Sequence, residues 1–227
     1  SVGGGSFSPF VRAAGPTRYY YTDRCFVESI ISSMAELLVS TFVDPDTAFD
    51  EQIRPYEGVP VQLGFFNPHP FFDLDHERLK RVCDEWGVPV RSVHAPTVDV
   101  FDEEAFFEML GIVRDVYEVD NVTLHPGRDN PIQAFEFFDK KGDRVDEIGV
   151  DLMYENFDDN APNERWLPRA KNIITAPPEQ VALTYDTSHV GLRTNVLREL
   201  RKANEEDRLG MVHLSDRTND EKHLPVY

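Results

Sequence analysis

Residues 88–125 read VPVRSVHAPTVDVFDEEAFFEMLGIVRDVYEVDNVTLH. The stretch opens on a short valine-rich run ending at His94 and closes on a second run, 119–125, ending at His125. Short apolar runs with Gly, Pro or Asp close by predict strands. Between them, residues 103–118 place Phe106, Leu110, Val113 and Tyr117 on one stripe at alternating four- and three-residue spacing, which predicts an amphipathic helix. Strand, helix and strand within about forty residues make a βαβ unit, and βαβ units imply a parallel sheet.

The same alternation extends in both directions. Further strands are predicted at 59–66, 149–155, 181–186 and 210–214. Residues 74–86 place Leu79, Val82, Cys83 and Trp86 on one helical face, and Gly87 is positioned to end that helix. Residues 194–204 group Val196, Leu197 and Leu200, and 26–39 (FVESIISSMAELLV) has the apolar spacing of an amphipathic helix. A first strand is weakly marked within 1–10. A doubly wound sheet needs about five or six such strands and a (β/α)8 barrel needs eight, so periodicity alone does not choose between them.

The residues at the strand ends do. The last five runs finish in or beside a metal-capable side chain: His94, His125, Glu155, Asp186 and His213. Their separations are 31, 30, 31 and 27 residues, so each repeat delivers one such group to the same end of its strand. In a closed barrel those ends converge on one mouth; in an open sheet they spread along an edge. A lone histidine beside a proline is more often a loop or core residue, and Asp186 before Thr187 and Ser188 could simply cap a helix. One metal centre accounts for all five positions at once, and His189, three residues after Asp186, joins them. His69 and His76 do not fit the spacing and are read as ordinary surface or core residues.

Composition narrows the class. The chain has 227 residues, 41% of them hydrophobic, a size common for one α/β barrel. No stretch approaches the ~18 consecutive apolar residues of a membrane helix, and the first residues lack the pattern of a secretory signal. Cys25 and Cys83 are too few for a disulfide framework, which favours a reducing cytoplasm. The 41 acidic residues against 23 basic ones give a net charge of −18, which argues against nonspecific attraction to nucleic acid or anionic membrane. Lysine occurs only at positions 80, 140, 141, 171, 202 and 222. That balance resembles proteins of salt-loving organisms, and a salt-adapted surface is favoured over a statement about partners.

The ordered set HAP (94–96), HPG (125–127), EN (155–156), DTSH (186–189), HLSD (213–216) and EKHLP (221–225) resembles the xylose isomerase-like barrel superfamily, also called AP endonuclease family 2. The resemblance covers roughly residues 58–225 and implies a TIM barrel. It further implies a single domain over residues 1–227 whose eighth strand, last carboxylate ligand and following glycine-rich segment would lie beyond Tyr227. The superfamily includes sugar isomerases and epimerases as well as zinc-dependent endonucleases that cut DNA at abasic sites.

For an isomerase or epimerase, the resemblance implies one divalent cation (Mn²⁺, Mg²⁺, Co²⁺ or Zn²⁺) on Glu155, Asp186 and His213. It would act on a sugar or sugar phosphate by proton transfer through an enediolate, with Glu155 as the base and His189 as a second catalytic group. His94, His125 and Arg217 would orient substrate oxygens. For an endonuclease it implies three zinc ions, with His94, His125, His189, Glu221 and His223 as additional ligands; Glu221 stands where an aspartate is usual. The isomerase or epimerase is the favoured reading and nucleic acid the less favoured partner. The sugar, its phosphorylation, the metal's identity and number, and assembly with further copies of the chain all stay open.

Overall fold

The structure, a computed structural model, describes residues 8–13, 35–100, 102–125, 131–156, 181–190 and 194–215. Eight strands are present among them: β1 (Ser8–Ala13), β2 (Ala35–Phe42), β3 (Val61–Gly64), β4 (Val90–His94), β5 (Asn121–Leu124), β6 (Asp151–Glu155), β7 (Val181–Asp186) and β8 (Leu209–His213). The helices between them are α1 (Phe49–Ile53), α2 (Pro68–Phe72), α3 (His76–Glu85), α4 (Glu103–Tyr117), α5 (Pro131–Ile148) and α6 (Val196–Glu205). A 3-10 turn, Arg54–Tyr56, extends α1. The six strands predicted from residue 59 onward are all formed.

Strands β2 to β8 pair in chain order and in parallel. Parallel pairing brings all seven C-terminal ends to one rim, which is what turns a sequence period into a site. The ring closes through β1, which lies antiparallel to both of its neighbours. Val11 is opposite Leu37 of β2 on one side and Val212 of β8 on the other. An all-parallel (β/α)8 barrel has a parallel strand in that place. Here that place is taken by the antiparallel N-terminal segment.

The helix expected over 26–39 is not formed in its described part. Residues 35–39 begin β2 instead; residues 26–34 lie outside the described residues. The run AELLV suits a helix locally, but in the barrel Leu38 and Ser40 are buried while Leu37 is 59% exposed. That two-residue alternation is the mark of a strand, and pairing on both sides overrides a weak helical preference.

The helices that were read from periodicity keep their faces. In α3, Leu79 and Cys83 are fully buried, with Val82 and Trp86 packed beside them. Asp75 caps its first turn by accepting from Arg78 N at 2.9 Å, and Gly87 ends it with φ +60°. In α4 the four predicted stripe residues are all buried. In α6 one assignment fails: Leu197 is half exposed, and Val196, Leu200 and Ala203 face the core because they recur every three to four residues. The main core lies between the outer faces of the strands (Val61, Leu63, Val93, Val122, Leu152, Leu183) and these helices.

Inside the barrel, side chains two positions before the rim form a partly polar layer. Gln62 donates to Ser92 Oγ at 3.1 Å and lies 3.2 Å from Met211 Sδ; the hydroxyls of Thr123 and Thr184 are 3.0 Å apart. Packed against it, Leu38, Met153 and Met211 form a small apolar plug with Ala182. The site above therefore has a filled floor.

Candidate metal and active site at the strand ends

Glu155 ends β6 with its carboxylate buried at the centre of the mouth. One oxygen, Oε2, accepts from His94 Nε2 at 2.7 Å and from His125 Nε2 at 3.0 Å. The other, Oε1, lies 3.3 Å from His189 Nδ1 and 3.4 Å from His213 Nδ1. One carboxylate thus divides four imidazoles, from four different strand ends, into two pairs. Asp186, the last residue of β7, places Oδ2 3.8 Å from His213 Nδ1 and 4.0 Å from His189 Nε2.

The supports of these groups are backbone-directed. Asp186 Oδ1 accepts from both the backbone N–H and the hydroxyl of Ser188, at 2.6 and 2.7 Å, which leaves Oδ2 to face the histidines. Asn156, fully buried, accepts from Asp186 N at 2.6 Å and donates to Asp186 O at 3.1 Å, so one side chain satisfies both backbone groups at the end of β7. The carbonyl of Asn156 also accepts from His189 Nδ1 at 2.9 Å. Thr187 donates to Ser215 O at 2.7 Å and ties this turn to the end of β8. Asp186 therefore serves its own turn, not the start of a helix.

Burial and mutual charge set the protonation of the cluster. Burial alone would raise the Glu155 carboxyl, but the imidazoles of His213 and His125 hold it well below the usual carboxylate range. Burial works against protonated His213, and the Glu155 charge with the Asp186 hydrogen bond outweighs it, lifting that histidine to about 9. His125 shifts upward by the same balance. At His94 burial wins and the ring is pushed toward its neutral form. Burial would raise Asp186 too, and the hydrogen bond to His213 more than reverses it.

A divalent cation fits this donor set. The ligand atoms of His94, His125 and Glu155 lie within 4.8 Å of one another, and so do those of Glu155, Asp186 and His189. Imidazole nitrogen with carboxylate oxygen is a set that suits Mn²⁺, Co²⁺ or Zn²⁺, and with fewer imidazoles Mg²⁺. His94 Nδ1 is buried with no hydrogen-bond partner among the described residues, so the hydrogen bond that holds this ring runs from Nε2 to Glu155.

Of the residues singled out from sequence, His94, His125, Glu155, Asp186, His189 and His213 are brought together here. Arg217, Glu221 and His223 lie outside the described residues. His69 is exposed and paired with Asp73, and His76 is a buried residue bonded to Tyr117 and Phe71. Asn156 was visible only as the second letter of the EN pair; its supporting role required knowing that β6 and β7 are neighbours. Two aromatic residues also stand at the rim without having been singled out. Phe42 ends β2 and Phe66 follows β3; their rings stack at 3.9 Å with an 11° interplanar angle.

No family model and no curated protein sequence matches the chain. Solved structures do. A xylose isomerase domain protein from Planctomyces limnophilus has 13% identity and a TM-score of 0.54, covering 81% of this chain and 76% of its own. The 3-keto-D-glucoside 4-epimerase from E. coli has 13% identity and a TM-score of 0.52, covering 78% of each chain. An AP endonuclease, family 2, from Brucella melitensis has 15% identity and a TM-score of 0.51, covering 72% of this chain and 74% of its own. The chain has the TIM-barrel fold of these structures.

Proposed function

We propose that this xylose isomerase-like barrel is a divalent-metal-dependent isomerase or epimerase acting on a sugar or sugar phosphate. The observation that carries the reading is the Glu155 carboxylate, buried at the barrel mouth among four histidines with Asp186 beside them. The 3-keto-D-glucoside 4-epimerase of like fold supports it.

Glu155, Asp186 and His213 would hold the cation, which when bound would supply Lewis-acid polarisation of a sugar carbonyl. Glu155, held in its ionised form, takes the proton from the carbon next to that carbonyl and returns it. His189, with Nδ1 fixed on the Asn156 carbonyl, presents its other nitrogen toward Asp186 and substrate oxygens. His94 and His125 orient further oxygens from the opposite side of Glu155; Arg217, expected from the sequence to do the same, lies outside the described residues. The filled floor leaves the mouth as the only approach this reading uses.

The test is metal content of the full-length protein together with turnover of a panel of ketoses and aldoses and of abasic DNA. One exchangeable metal and solvent proton exchange into a sugar are expected. Glu155→Gln should lower that exchange by about 10²–10⁴-fold, the usual contribution of a positioned base; an unchanged rate would remove Glu155 from the role.

A second reading, a zinc endonuclease acting at abasic sites, is favoured by one observation. The two groups of potential ligands share Glu155, which is the arrangement a bridging carboxylate between two metals requires. Three zinc ions per chain with cleavage of abasic DNA would establish it and exclude the first. The net charge of −18 weighs against a polyanionic substrate.

A further inference from the structure

Phe66 is 67% exposed and Phe42 41% exposed, and exposed aromatics of that size, stacked on one another, lose hydrophobic burial unless something covers them. Their position is not arbitrary. Both stand at the C-terminal rim, and the Phe42 ring lies 5.9 Å, centroid to centroid, from the imidazole of His94. The pair therefore begins where the histidine cluster ends. Its seat is Gly64, the last residue of β3: a Cβ there would come within 2.6 Å of two Phe42 ring carbons. The absence of a side chain at Gly64 is what lets that ring lie flat across the strand end.

Charge on this side of the mouth is equally selective. The segments that follow β2, β3 and β4 (residues 43–48, 65–75 and 95–102) contain no lysine or arginine. They contain aspartates, and several of these are committed elsewhere. Asp44 accepts from Asp46 N and Thr47 Oγ1, Asp75 and Asp102 cap α3 and α4, and Asp73 pairs with His69. A phosphate placed against the two rings would meet an electron-rich ring face and nearby carboxylates, and these three segments supply no lysine or arginine to pair with it. The C–H face of a sugar, polarised by its own oxygens, meets the ring face favourably.

We propose that Phe42 and Phe66, seated by Gly64, form the subsite for the C–H face of an unphosphorylated monosaccharide whose oxygens reach the histidine cluster. This rests on the sugar reading above and narrows it: the substrate is a free sugar. The rings bind it and set its orientation, so they govern KM more than kcat.

The test uses the metal-loaded full-length protein with free pentoses and hexoses, D-fructose among them, against the corresponding sugar phosphates. Turnover and calorimetric binding are both read. A preference of at least tenfold in kcat/KM for the free sugar is expected. Phe66→Ala should raise KM and the dissociation constant about tenfold with a smaller change in kcat, and Phe66→Leu should recover only part of the loss. Gly64→Ala should act in the same direction by displacing Phe42. Unchanged KM and binding in both Phe66 variants of a protein that turns over free sugar would overturn the subsite alone. Preference for the phosphorylated sugars would overturn the substrate class. No turnover or binding of any sugar by the wild-type protein would sink the sugar reading itself, and this inference with it.

Discussion

Asn156 has one task that no exposed residue could perform. Its amide satisfies the backbone N–H and C=O of Asp186, both buried, where the β7 ladder ends. Replacing it by Leu keeps the volume and removes both partners. We predict a loss of about 2–4 kcal/mol in urea denaturation, from the cost of two buried unsatisfied groups. Metal affinity should fall about 10–100-fold, because Asp186 and His189 lose their common support. Wild-type stability in Asn156→Leu would show that water replaces the amide without cost. His76 gives a pH-dependent prediction. Its Nε2–H donates to the Phe71 carbonyl at 2.7 Å, so its Nδ1 accepts from the Tyr117 hydroxyl at 2.7 Å and the ring is neutral. Burial lowers its pKa below the ordinary histidine value. The unfolded chain therefore takes up the proton first as pH falls, near the unperturbed value of about 6.5. The contribution of His76 is complete above that value and is lost as pH falls below it. The urea midpoint should drop between pH 7.5 and pH 5, and the drop should be smaller in His76→Gln.

The least expected element is β1. It has backbone partners on both sides, so removing one N–H from its middle disrupts a ladder that closes the ring. Val11→Pro should cost about 1–3 kcal/mol in thermal or urea unfolding, and amide hydrogen exchange should show protection across residues 10–12 of the wild type. Rapid exchange there, with no stability change in the variant, would mean that β1 does not close the barrel in solution. The contrast between β2 and the later strands explains what was legible at this scale. Strands β3 to β8 are short apolar runs, most set off by Gly, Pro or Asp, and their period showed in the sequence. Ala35–Phe42 is longer and reads AELLVSTF, whose local preference is ambiguous; only pairing with β1 and β3 made Leu38 and Ser40 face inward.

At the scale of the molecule, the net charge of −18 with few lysines describes a surface that repels itself in dilute salt. We propose that this surface is adapted to concentrated salt. Raising KCl from 0.1 to 2 M shrinks the Debye length to a few ångströms and should raise the melting temperature, by about 2–4 °C for each kcal/mol of relieved repulsion. A melting temperature that falls or stays level across that range would refute the salt-adapted surface. The barrel mouth is distinct from that surface: it gathers six potential ligands in one cluster, all buried but the half-buried His125, and the outer charge says little about what binds there.

By itself, the sequence determined that strands and helices alternate and that a ligand-type residue recurs at each strand end about every thirty positions. Those are local properties, carried by side-chain period and by spacing along the chain, and they sufficed for the barrel and for expecting His94, His125, Glu155, Asp186, His189 and His213 at one rim. Only the tertiary structure decided that the N-terminal strand closes the ring antiparallel and that Glu155 sits between two pairs of histidines. It also placed Asn156 to hold a neighbouring strand and put Phe42 and Phe66 in contact at the rim. These depend on which strands become neighbours and on which way each side chain then points. A contact between two particular side chains from different strands leaves no period for the chain to display.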